Sequence, residues 1–112
     1  MIGSLRGTVL EVHAGFCLIE VAGIGHSVRA TPGTLSLLHK DSEQFLYIHD
    51  VVREDSRELF GFLQRNELDL FQQLLERLLL LGRQRVRVEP APQRQRFRGG
   101  RGELQQLVEE AA

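Results

Sequence analysis

The sequence predicts a mainly β fold: a five-stranded barrel over residues 1–63, an amphipathic α-helix over 64–82 and a basic tail over 83–112. Three observations predict it. Five short runs rich in β-branched and aromatic residues alternate with turn signals as far as residue 63. The hydrophobic period then changes to three and four between Leu63 and Leu79. Beyond Gly82 apolar residues thin out and Arg, Gln and Gly take over. A barrel of this size buries only about 60% of its unfolded surface, so a packed helix or a partner subunit is expected to support it.

The first strand runs through Leu5, Thr8, Val9, Leu10 and Val12, with Gly3 and Gly7 where it can coil sharply. Phe16 to Val21 forms the second, Ala22-Gly23 is a tight-turn signal, and Ile24 to Arg29 returns as the third. Thr31-Pro32-Gly33 breaks that strand, and Thr34 to Leu38 fits one helical turn with Thr34 as its N-cap. Phe45 to Val52 is the fourth strand, Arg53-Glu54-Asp55-Ser56 a polar turn, and Arg57 to Phe62 the fifth strand. Three strands, a short helix and two strands is the order of an OB-fold, a Greek-key barrel. Small SH3-like barrels and plain meanders give similar strings.

The following helix places Leu68, Phe71, Leu75 and Leu78 on one face, which predicts packing against the barrel or a neighbouring subunit. Asn66 is expected as its N-cap, Glu67 and Asp69 suit the positive end of the helix dipole, and Gly82 is the expected stop. The packed unit is expected to end near Gly82. Residues 83–102 read as largely disordered. Glu103 to Ala112 fits a short amphipathic helix through Leu104, Leu107 and Val108, too short to stand alone.

The net charge of −1 hides a division. Residues 1–82 carry 7 basic and 11 acidic groups, residues 83–102 seven Arg and one Glu, and residues 103–112 three Glu. The basic charge is therefore local. Arg83, Arg85, Arg87, Arg94, Arg96 and Arg98 are candidates for phosphate contacts, and read equally as a solvated tail.

Catalytic chemistry finds little support. Cys17 lies in the apolar run Phe16-Cys17-Leu18-Ile19 and reads as a small buried hydrophobe. His13, His26, His39 and His49 lack ligand spacing, so no metal is expected; His39 and His49 are placed on the surface and His26 against its strand neighbours. No phosphate loop, no Ser/His/Asp arrangement and no cofactor motif is visible. The chain is read as no enzyme, without cofactor. It is expected to lack a signal peptide and a membrane span, and to be cytoplasmic.

Several segments together resemble the first domain of the RuvA family. They are Met1-Ile2-Gly3-Ser4-Leu5-Arg6-Gly7, Leu18-Ile19-Glu20-Val21-Ala22-Gly23-Ile24-Gly25, His49-Asp50-Val51-Val52-Arg53-Glu54-Asp55 and Leu59-Phe60-Gly61-Phe62. The resemblance covers about residues 1–75, because Asn66-Glu67-Leu68-Asp69-Leu70-Phe71 fits the helix after the barrel. It implies a non-enzymatic subunit that binds four-way DNA junctions as a homo-tetramer and recruits the hexameric ATPase RuvB. It also implies that Glu54 and Asp55 form an acidic pin at the junction centre, repelling phosphates. The residues alone read as a solvated hairpin turn.

The chain departs from the family after that helix. Where the pattern Val-x-Gly-Val-Gly-Pro-Lys of a helix-hairpin-helix motif is expected, it reads Glu76-Arg77-Leu78-Leu79-Leu80-Leu81-Gly82-Arg83. Neither such motifs nor a motor-contact domain is recognisable. The Leu, Arg, Gln and Gly bias, with thirteen Arg to one Lys in the chain, suits a shifted reading frame as well as a genuine tail. Two other readings stand beside junction binding. One is a structural oligomerisation module. The other is a generic OB-fold that stacks single-stranded bases on Phe16, Phe45, Tyr47, Phe60, Phe62, Phe71 or Phe97.

Overall fold

A computed structural model of the chain describes residues 1–81 and 100–111. Five strands form a closed barrel: β1 (Ser4–Val12), β2 (Phe16–Val21), β3 (Ile24–Arg29), β4 (Glu43–Val52) and β5 (Arg57–Phe62). The order around the barrel is β1-β2-β3-β5-β4, the OB-fold order. Closure leaves no free sheet edge among these strands. β1 serves two neighbours: Ser4 to Thr8 pair with β4, and Thr8 to Val12 with β2. The register of the second pairing shifts between Val9 and Glu11, a bulge that bends the strand from one partner to the other. Gly7 makes the bend possible, since a Cβ there would lie 2.1 Å from the Glu20 carbonyl oxygen. β3 and β5 complete the ring by a short parallel pairing, Val28 with Leu59 and Arg29 with Phe60.

The β2–β3 hairpin turns at Ala22 and Gly23, with φ of 51° and 83°. Positive φ at both central positions is the tight turn whose twist matches its strands. The helical turn α1 (Pro32–Leu35) starts earlier than expected. Thr31, not Thr34, is its N-cap: the Thr31 hydroxyl accepts from Thr34 N at 3.2 Å. The reason is Pro32, which suits the first helical position and holds the preceding residue extended. Leu35 and Leu38 then close one end of the barrel core of Leu5, Cys17, Ile19, Val28, Leu46, Ile48 and Leu59.

A second core lies outside the barrel. β5 is buried on both faces: Leu59 joins the interior, while Phe60 and Phe62 point outward onto α2 (Arg65–Leu81). α2 begins one residue before Asn66, with the Gln64 carbonyl accepting from Leu68 N at 3.4 Å, so Asn66 lies within the helix and is not its cap. The helix runs on through Glu76 to Leu81; the expected stop, Gly82, falls outside the described residues.

α3 (Gly100–Ala111) corrects the expectation that the packed unit ends near Gly82. It buries Leu104, Leu107, Val108 and Ala111 in the second core, where it packs chiefly on α2. These positions recur at three and four, so a helix too short to stand alone is stabilised by the apolar face it meets. Of residues 83–102, expected to be largely disordered, 100–102 belong to the first turn of α3 and the rest fall outside the described residues.

Candidate nucleic-acid interface

The β4–β5 hairpin carries Glu54 and Asp55, the two acids that the family resemblance singles out. Its last strand pair is Val52 with Arg57, and Arg53 N donates to Ser56 O at 2.8 Å to close the tip. Glu54 and Asp55 occupy the tip, both exposed. Neither has positive φ, so the turn differs from the tight one at Ala22-Gly23. Among the described residues neither carboxylate has a hydrogen-bond or ion-pair partner. Two adjacent unneutralised charges thus stand at the end of the hairpin.

The root of this hairpin is held by a buried carboxylate. Along β4 the inward row runs Leu46, Ile48, Asp50. The Asp50 side chain is fully covered, and its charge is met on two sides. Arg57 donates to both oxygens, Nε to Oδ1 at 3.1 Å and Nη2 to Oδ2 at 2.6 Å. The Ile2 backbone N donates to Oδ2 at 2.9 Å. The Arg57 hydrogen bonds hold the Asp50 carboxyl below its ordinary value; burial opposes them, and the Ile2 amide adds to them. The clamp therefore ties both strands of the hairpin and the start of the chain to one ionised group.

On the outer side of β4, His49 corrects its expected surface position. It is half-buried, with its ring 5.2 Å from Phe71 and 6.5 Å from Phe60, and its Nδ1 is 3.3 Å from Gln72 Nε2. Burial lowers its pKa, and the Asp50 charge pulls the other way. His39 is exposed and His26 partly buried. His13 stacks on Phe16 and is 2.6 Å from a Glu11 oxygen. Cys17 is fully buried, and burial pushes its thiol up to about 11. Among the described residues no three His, Cys, Asp or Glu side chains gather into a metal-ligating cluster.

Leu68, Phe71 and Leu75 are buried within the chain's own second core, and Leu78 packs partly against it. Of the aromatic rings, Phe60, Phe62 and Phe71 are fully buried and unavailable to stack on bases. Phe16, Phe45 and Tyr47 are partly exposed; Phe45 meets Tyr47 edge-on and lies under the Arg6 guanidinium. Arg83, Arg85, Arg87, Arg94, Arg96, Arg98 and Phe97 fall outside the described residues.

Sequence reasoning overlooked Asp50 and Arg57. A signal was present: an acid that continues the inward row of an apolar strand, seven residues before an Arg across a turn.

Over residues 1–61 the chain matches the family described as RuvA N terminal domain. Over 75 residues, 67% of this chain, it is 47% identical to the Holliday junction branch migration complex subunit RuvA of Mycolicibacterium gilvum. It is 46% identical over 74 residues, 66% of this chain, to the protein of that name in Rhodococcus erythropolis. The corresponding figures for Mycobacterium ulcerans are 48% over 75 residues, again 67% of this chain. The chain spans well under half of these relatives, the matched segment covering 38%, 37% and 38% of their lengths. No helix among the described residues is long and apolar enough to cross a membrane.

Proposed function

The chain belongs to the RuvA N-terminal domain family, and from that membership we propose that it is a non-catalytic, junction-contacting module of a Holliday junction branch migration complex. In this reading it acts in recombination and DNA repair in the cytoplasm. Its partners are four-way junction DNA, further copies of itself in a tetramer, and a RuvB-type hexameric ATPase. The carrying observation is the exposed Glu54–Asp55 pair on a hairpin rooted in a buried ion pair. Such acids repel phosphate and cannot be a general DNA-binding surface. They fit an element that holds strands apart where duplexes meet and so disfavours continuous duplex. The burial of Phe60, Phe62 and Phe71 weighs against a single-strand stacking platform.

The test is a gel shift of the full chain and its E54K/D55K variant with a four-way junction, a duplex and a single strand, at two salt concentrations. The variant is expected to bind junction and duplex more tightly and to prefer the junction less. Its salt slope should steepen by up to about 1.8, since each added phosphate contact contributes roughly 0.9. Weaker junction binding by a folded E54A/D55A variant would refute the pin. If the chain binds no DNA, the same pair of substitutions is tested in a chimera carrying a relative's remaining sequence after residue 75.

A further inference from the structure

α3 lies outside the residues matched to the family, yet it touches three parts of the barrel module. Glu103 Oε2 accepts from Gly33 N in α1 at 3.1 Å. Glu110 Oε2 accepts from Arg29 Nη1 on β3 at 3.1 Å. The carbonyl of Ala111 accepts from Arg53 Nη2 at 2.8 Å. The first two contacts join α3 to the body of the barrel. The third joins it to the acidic hairpin.

Arg53 is well placed to transmit that contact. It immediately precedes Glu54, and its own N–H closes the tip to Ser56. Its guanidinium reaches the last described turn of α3, where carbonyls lack intrahelical donors and the helix dipole is negative. An Arg there is favoured on both grounds. The turn it reaches is itself fixed, because Leu107, Val108 and Ala111 are buried in the second core with α2.

Polar contacts thus hold the hairpin at two places, and between them Val51 packs partly against the second core. Asp50, Arg57 and the Ile2 amide fix its root. Arg53 and Ala111 fix its tip. A two-stranded ribbon held only at its root can pivot, because exposed hairpins are marginal by themselves. We infer that α3 is a positioning element for the acidic hairpin: through Arg53 and the Ala111 carbonyl it sets the direction in which Glu54 and Asp55 project. The coupling stands on geometry alone. Its consequence for DNA rests on the reading proposed above.

Coupling of this kind is reciprocal, so it is read from both ends in the full-length chain labelled with 15N. Arg53→Gln should accelerate hydrogen exchange of the amides of Leu107 to Ala111 by about tenfold or more, as the loss of a hydrogen bond from a charged donor implies, while barrel amides keep their rates. Arg53→Lys should restore part of the protection. In the other direction, Leu107→Ala should lower the order parameters of Glu54 and Asp55 from about 0.85 towards 0.6. If Leu107→Ala fails to fold, E103Q/E110Q loosens the docking while leaving the apolar row in place. Unchanged α3 exchange in Arg53→Gln, or unchanged hairpin order in a folded α3 variant, would overturn the inference. Coupled motion with an unaltered preference for junction over duplex would uphold α3 as the brace and count against the pin.

Discussion

Replacing Asp50 by Ala should destabilise the protein by about 3 kcal/mol, and the loss should depend on pH. The figure follows from three hydrogen bonds to one ionised, covered carboxylate. The three bonds count for about 1 kcal/mol each, those from Arg57 being held to that value because its side chain is 50% exposed. Arg57 regains water when Asp50 is removed, so no buried charge is left unpaired. For a domain of this size the loss lowers the melting temperature by roughly 15 °C. The Asp50 pKa is held below its ordinary value of 3.8 in the folded protein. Its stabilisation is therefore complete above that value and is lost as pH falls through the folded pKa. The gap between wild type and Asp50→Ala should stay constant from pH 7 to pH 5 and close at lower pH. Arg57→Ala leaves the covered carboxylate with the Ile2 amide alone, and its deficit should shrink on acidification as Asp50 takes up a proton. Urea melts across this range provide the measurement. A difference below about 1 kcal/mol at pH 7, or one that persists below the carboxylate range, would refute the clamp.

Three further outcomes follow from local geometry. Gly7→Ala should cost more than about 3 kcal/mol or prevent folding, because the new Cβ meets the Glu20 carbonyl at 2.1 Å; Gly3→Ala, with nothing within 4 Å of its Cβ, should melt like wild type. Ala22→Asn should stabilise by about 0.5–1 kcal/mol in a thermal melt, since Ala22 is held at φ 51° in a turn that favours Asn-Gly. The lowered His49 pKa means that stability is full above about pH 6.5 and declines as pH falls from there towards the folded value. His49→Gln should flatten that part of the melting-temperature profile, and an unchanged slope would assign it to other groups.

The barrel was legible because its information is local and periodic. Alternation marked the strands, Ala22-Gly23 marked a turn, and the three-four spacing of Leu68, Phe71 and Leu75 marked the buried face of α2. What escaped was long-range. The Asp50–Arg57–Ile2 clamp joins residues up to 48 apart, and Arg53 with Ala111 spans 58. His49 was misplaced because an outward position on β4 implies solvent only until α2 covers it. The packed unit extends past Gly82 although the sequence does not signal it, because α3 has no stability of its own and its docking face exists only after α2 has packed on the barrel. Thr31 and Thr34 offer the same capping chemistry three residues apart, and Pro32 is the cue that separates them.

A repulsive element must be stiffer than an attractive one. A flexible basic side chain still binds phosphate, because attraction draws it into place. A flexible acidic tip turns away, because every displacement from the phosphate lowers its energy. Two unit charges 4 Å apart in water interact by only about 1 kcal/mol, and salt screens them within about 10 Å. Under the proposed reading, Glu54 and Asp55 can hold strands apart only if moving the hairpin costs more than that. The clamp beneath them, at about 3 kcal/mol, meets this requirement at the root. It does not constrain the tip, four and five residues further on. There the Arg53–Ala111 contact resists pivoting, and it does so only while α3 stays docked on its apolar face. Under that reading the acids supply the charge, and a helix outside the family-matched segment gives it the stiffness to act.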